Sequence, residues 1–104
     1  MKKVMVISLG GSLIIPDSVD INLLGKFKKI LKKHESNYKF VVVCGGGSIA
    51  RKYISALRIS GKNEFLQSMA GIGTTRMNAR FLTYLFGRDA NEGIPHDMKQ
   101  VSNL

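Results

Sequence analysis

The stretch Val41-Val42-Val43-Cys44-Gly45-Gly46-Gly47-Ser48-Ile49-Ala50-Arg51 passes from an unbroken apolar run through three glycines into a helical pattern. It predicts a strand, a turn of bare backbone and a helix start. A glycine turn between strand and helix lets peptide N–H groups approach an anion with no Cβ in the way, and the next helix aims its unpaired N–H groups and positive dipole end at the same spot. Such a turn can also be a tight connection and nothing more. Arg51 favours an anion, with phosphate the obvious guest. With Ser48 as predicted N-cap, Arg51 lies in the first turn, where a cation opposes the dipole unless a negative ligand is present.

A second stretch has the same grammar. Lys3–Leu9 (Lys-Val-Met-Val-Ile-Ser-Leu) is apolar at nearly every position, the pattern of a strand buried on both faces, and it runs into Gly10-Gly11-Ser12. In open α/β sheets ligands bind beyond the carboxyl ends of the strands. On neighbouring parallel strands the two turns converge on one crevice, with Gly10, Gly11 and Ser12 facing Gly45, Gly46 and Gly47.

Between them Pro16-Asp17-Ser18-Val19-Asp20 is turn chemistry, with Asp20 as N-cap of a helix over residues 21–34. Ile21, Leu24, Phe27, Ile30 and Leu31 recur at helical spacing, Lys26, Lys28, Lys29, Lys32 and Lys33 read as a solvated outer face, and His34 reads as a C-terminal capping residue. A strand over residues 39–44 follows, so the order strand, helix, strand calls for a right-handed parallel βαβ unit. The helix beyond Gly47 is expected to bury Ile49, Tyr53, Ile54 and Leu57 and to stop near Gly61. Asn63 caps a third helix that carries Phe65, Leu66, Met69, Phe81, Leu82, Leu85 and Phe86 as far as Gly87, with loosening expected at Gly71 and Gly73. Gly71-Ile72-Gly73-Thr74-Thr75-Arg76 lacks the third glycine and the preceding strand of a dinucleotide fingerprint. Residues 91–94 suit a connection or an edge strand, and Asp97 caps a last helical start. His96 beside it reads as part of that helix entrance rather than an acid–base pair.

Composition bounds the partners. The chain has 104 residues, one domain at most, and sixteen Lys plus Arg against seven Asp plus Glu leave a formal charge of +9. That surplus favours nucleotides, polyanions or an acidic protein surface. Nucleic acid is not expected, because the basic residues are dispersed and only a few aromatics, such as Tyr38, Tyr53 and Phe65, accompany them. The lone Cys44 forms no internal disulfide and reads as a small core residue in a reducing compartment. The apolar start after Met1-Lys2-Lys3 is too brief for a signal peptide, and no stretch has the length of a membrane span. No Ser/His/Asp spacing, metal-ligand cluster or P-loop ending is present, so no catalytic residue is assigned.

The segments Ile7-Ser8-Leu9-Gly10-Gly11-Ser12-Leu13, Gly45-Gly46-Gly47-Ser48-Ile49-Ala50-Arg51-Lys52-Tyr53-Ile54 and Gly71-Ile72-Gly73-Thr74-Thr75-Arg76-Met77-Asn78-Ala79 resemble the amino-acid-kinase superfamily, and within it the archaeal type of uridylate (UMP) kinase. The resemblance covers almost the whole chain. It implies an α/β fold, a parallel βαβ sheet with flanking helices, as the amino-terminal half of a three-layer carbamate-kinase-like sandwich, with residues 1–104 a partial domain that lacks the carboxyl-terminal ATP half. It further implies transfer of the ATP γ-phosphoryl group to UMP with Mg²⁺, in a cytoplasmic homo-oligomer that serves pyrimidine nucleotide synthesis. Carried over by position, Gly10, Gly11, Ser12, Gly47 and Arg51 would touch the ATP phosphates, while Gly46 and Ser68 would contact UMP. Ser8 stands where many members have a lysine, and Ser68 where the family places an aspartate on the ribose. A different phosphate or carboxylate acceptor is one alternative expectation; the other is a non-catalytic interaction fragment, in which so few strands leave the helix faces around Phe65, Phe81 and Phe86 bare for a partner.

Overall fold

The computed structural model describes residues 2–15, 18–95, 98–102 and 104. Pro16, Asp17, His96 and Asp97, with the turn and capping roles expected of them, lie outside the described residues. The elements run β1 (Lys3–Leu9), α1 (Gly11–Ile14), α2 (Ile21–Lys33), β2 (Tyr38–Cys44), α3 (Gly47–Ile59), α4 (Glu64–Phe86), a 3-10 turn (Gly87–Asp89) and α5 (Met98–Ser102). Residues 91–94 form a connection without strand pairing.

β1 and β2 pair in parallel without interruption, from Lys3 opposite Tyr38 to Leu9 opposite Cys44. The crossover between them is α2, and its ends are written in the chain. Asp20 Oδ1 accepts the N–H of Leu23 at 3.0 Å, and His34 takes the C-cap, its N–H turned back to the carbonyls of Leu31 and Lys32. Asn63 does the same for α4, accepting the N–H of Leu66 at 3.0 Å, while Gly87 at φ +60° ends that helix.

One core cluster joins the elements: Leu9 and Cys44 at the strand ends, Ile14 of α1, Leu24 of α2 and Leu82 of α4, flanked by Phe27, Val42, Ala79, Phe81, Leu85 and Phe86. Leu24 and Ile14 are fully enclosed. Phe27 and Phe86 meet edge to face at 6.3 Å, a pairing of about 1 kcal/mol beyond the area it buries. Outside it, Lys28 and Lys32 reach Asp89 at 3.6 and 3.4 Å, tying the end of α4 to α2 through half-exposed charges that contribute little. Four of the predicted solvated lysines, Lys26, Lys29, Lys32 and Lys33, are exposed.

Four expectations change. β1 is not buried on both faces: Val4 and Val6 are 63% and 66% exposed, and Val43 on the same face of β2 is 51% exposed. The apolar pattern suits a strand covered on two sides, and the described chain covers mainly its carboxyl end. Tyr53 is exposed rather than buried, because the packing side of α3 runs through Ala50, Ile54 and Leu57. Of Phe65, Phe81 and Phe86, expected to lie bare, only Phe65 does, since the other two pack on the core. Finally, α4 does not loosen at Gly71. The helix is continuous, and a Cβ at Gly71 would come 3.3 Å from Ile54 Cδ1, so this glycine serves the approach of α3 to α4.

Candidate functional site

Parallel pairing brings the carboxyl ends of β1 and β2 side by side, which carries the two glycine turns to one place. They touch backbone to backbone. A Cβ at Gly11 would stand 2.5 Å from Gly46 C and from Gly47 N, and a Cβ at Gly47 would stand 2.5 Å from Gly11 C and from Ser12 N. Real Cβ atoms do not come that close, so only glycine fits at either position. Gly47 has a second reason, a φ of +64° in the left-handed region. Gly46 has ordinary helical angles but lies against Ala50 Cβ, 2.5 Å from where its own Cβ would be. Gly10 has nothing within 4 Å of such an atom. The glycines thus do more than leave amides bare: two of them, Gly11 and Gly47, allow two main chains to press together.

The start of α3 differs from the sequence expectation. Gly46, not Ser48, is the N-cap, and no side chain caps the helix. The left-handed turn at Gly47 starts the helix straight after the strand, which puts Ser48 inside the helix and moves Arg51 from the first turn to the second. Ser48 Oγ is buried with no partner among the described residues. The first turn holds no acidic side chain, and the leading N–H groups of a helix lack intrahelical acceptors, so this end is electropositive.

Arg51 bridges the two turns. Its Nη2 donates to Ser12 Oγ at 3.3 Å, with both residues exposed, so a guanidinium and a hydroxyl stand together beside the glycine junction. A third element supports the junction from behind. Asn78 of α4 is 4% exposed and its Nδ2 donates to Gly45 O at 2.8 Å and to Gly46 O at 3.5 Å. Gly45 N–H in turn donates to Leu9 O at 3.2 Å. Asn78 was not among the candidate site residues. Its one sequence signal is a polar residue on the helix stripe Gly71, Thr75, Asn78, Leu82 that faces the core.

Six of the seven candidate positions, Gly10, Gly11, Ser12, Gly46, Gly47 and Arg51, therefore belong to one junction. Ser68 stands apart. It is exposed, on the same side of α4 as Gly71 and Thr75, in an open depression of about 270 Å³ with Ile54, Glu64 and Gln67. Its seven-residue separation from Thr75 corresponds to roughly 10 Å along the helix axis. Ser8 is exposed on the outer face of β1, paired with Val43. Cys44, the last residue of β2, is a buried free thiol, and burial pushes its pKa up, which keeps it neutral. Among the described residues no three His, Cys, Asp or Glu side chains gather as metal ligands. The junction therefore offers donors for an anion and no ready cage for a cation. Among the described residues no helix is long and apolar enough to cross a membrane.

The sequence model of the amino acid kinase family matches residues 3–102. This chain belongs to that family. It is 45% identical to the uridylate kinase of Thermoplasma volcanium over 100% of this chain and 45% of that protein, and 41% identical to the one from Thermoplasma acidophilum over 100% and 44%. The solved uridylate kinase of Archaeoglobus fulgidus has the same fold, with a TM-score of 0.83 at 33% identity, over 98% of this chain and 45% of that one. The chain thus spans rather less than half the length of the relatives it matches. The expected α/β fold with a parallel sheet and flanking helices holds, and so does the resemblance to archaeal uridylate kinases.

Proposed function

We propose that this chain is the phosphate-handling part of a uridylate kinase-like phosphotransferase of the amino acid kinase family, carrying ATP + UMP to ADP + UDP. The carrying observation is the contact of the two glycine turns, with Arg51 reaching across it to Ser12. Phosphoryl transfer requires donor and acceptor to be held in line and their charge neutralised, with little covalent work for side chains. In this reading Gly46, at the head of α3, holds the UMP phosphate. Gly10, Gly11, Ser12, Gly47 and Arg51 hold the phosphates of ATP, and the cation at Arg51 offsets charge that builds on the transferring group. Ser68 lines the nucleoside side. Mg²⁺ is the expected metal of such a reaction; the described acidic residues make no site for it.

The rest of the nucleotide pocket would come from sequence matching the remaining length of the relatives, with residues 1–104 one part of the kinase domain. A cytoplasmic homo-oligomer in pyrimidine nucleotide (UTP and CTP) synthesis goes with this reading. Amide NMR tests it. Millimolar UMP and ATP should shift the signals of Gly46, Gly47 and Gly11, and a spectrum that ignores both nucleotides would refute the assignment.

A second reading has its own support in the bare sheet face at Val4, Val6 and Val43: association with further polypeptide through apolar surface. Sedimentation separates the two, since a monomer that binds nucleotide favours the first reading and a non-binding oligomer the second. Acceptor choice is a related matter because of Ser68. Comparing UMP with CMP, isopentenyl phosphate and carboxylates decides it, and preference for a carboxylate would overturn the uridylate assignment.

A further inference from the structure

Arg51 flanks the glycine junction from α3, and α4 brings a hydroxyl to the same corner. A Cβ built on Gly46 would lie 3.1 Å from Thr75 Oγ1, so this oxygen stands against the backbone at the head of α3. Helical threonines commonly return their hydroxyl to a carbonyl one turn earlier. The two nearest in α4 do so, Thr74 to Ala70 O at 2.8 Å and Thr83 to Arg80 O at 2.7 Å. Thr75 Oγ1 makes no hydrogen bond among the described residues, although its side chain is half-buried. Its place is not left to chance. Gly71, a turn before it, lies against Ile54, and Asn78, three residues after it, holds the Gly45 and Gly46 carbonyls, so the register of α4 is set on both sides. A β-branched side chain in a helix has few rotamers, which confines the hydroxyl further.

We propose that Thr75 is a further ligand of the phosphate monoester held at Gly46, donating its hydroxyl proton to a phosphate oxygen. This rests on the reading of Gly46 as an acceptor-phosphate contact. The hydroxyl supplies a neutral donor from α4, independent of the charged donor on α3, so the acceptor phosphate is gripped from two helices. It also sets a direction. Ser68 lies two turns towards the amino end of α4 on the same side, so a nucleoside monophosphate anchored at Thr75 lays its nucleoside along that helix towards the Ser68 depression.

The test is titration of the 104-residue chain with UMP and, separately, with inorganic phosphate. Thr75→Val keeps the shape and removes the donor, and is expected to weaken both ligands about tenfold, whereas Thr75→Ser keeps the hydroxyl and stays within about threefold of the unchanged chain. Thr75→Val binding as tightly as the unchanged chain, or Thr75→Ser losing as much as Thr75→Val, overturns the inference. Should Thr75→Val fail to fold, the Thr75 methyl resonance of the unchanged chain still decides. It should move with the Gly46 amide at the same half-saturation, and a methyl that stays put while the amide moves overturns the inference. An unchanged chain that binds neither UMP nor phosphate defeats the anion reading of Gly46 and this inference with it, an outcome distinct from failure of Thr75 alone.

Discussion

The two ends of the sheet are made of similar residues and have different surroundings. At the carboxyl ends, Leu9 and Cys44 are buried, the turns beyond them touch through main-chain atoms, and a buried amide side chain holds the corner. Towards the amino ends and over the outer face, Val4, Val6 and Val43 are equally apolar and lie open. Burial of an apolar side chain contributes only when something covers it, whereas two backbones pressed together impose their geometry whatever lies elsewhere. The junction is therefore nearly complete within this chain, and the sheet is not.

The contrast is breakable, and the largest effect is expected at the junction. Gly47→Ala or Gly11→Ala should each destabilise by about 3 kcal/mol or more, since the new methyl meets main chain with no room to give. Gly10→Ala, with open space around it, should be close to neutral. Equal denaturation midpoints for Gly10→Ala and Gly11→Ala would remove the distinction.

Asn78→Ala comes next, at about 2 kcal/mol, because it removes a buried amide and leaves the half-buried Gly45 carbonyl without that donor. Urea denaturation measures it, and a loss below that of an ordinary surface substitution would mean that the corner stands without its prop. Arg51→Ala is expected to split binding from stability. Nucleotide affinity should fall roughly tenfold with loss of a charge-assisted donor, while the melting temperature barely moves, the side chain being exposed. An unchanged dissociation constant for ATP would detach Arg51 from the site.

At the open end, Val6→Thr should change stability by less than about 0.5 kcal/mol, as for other exposed positions. A large loss would show that this face is covered in solution. Smallest is the pH effect of Cys44. Its thiol pKa is raised in the folded chain, so its contribution is intact below the ordinary thiol range; as pH climbs through and above that range the unfolded chain ionises first and stability falls. The slope of stability against pH should flatten there in Cys44→Ala, and parallel curves would contradict the burial effect.

Local signals made much of this legible. Asp20 and Asn63 capped the helices predicted for them, Gly61 and Gly87 marked helix ends, and the alternation of strand and helix led to the parallel pair. Ser48 misled because capping preference is a local rule, and contact of Gly47 with the other turn started the helix earlier. Tyr53 and Gly71 misled for a like reason, as which side of α3 is packed depends on where α4 crosses it. The roles of Asn78 and Thr75 are not legible in the sequence, because nothing along the chain says that residues some thirty positions apart will meet.

By itself the sequence determined the longer elements, their order and the two glycine turns, though not the short helix α1, since dihedral preference, capping and apolar periodicity act over a few residues. Tertiary structure alone decided why glycine is required at 11, 46 and 47, that Asn78 holds the corner and that Thr75 stands over Gly46. Those are matters of contact between distant segments, and contact distance is set by how whole elements pack rather than by what any one of them prefers.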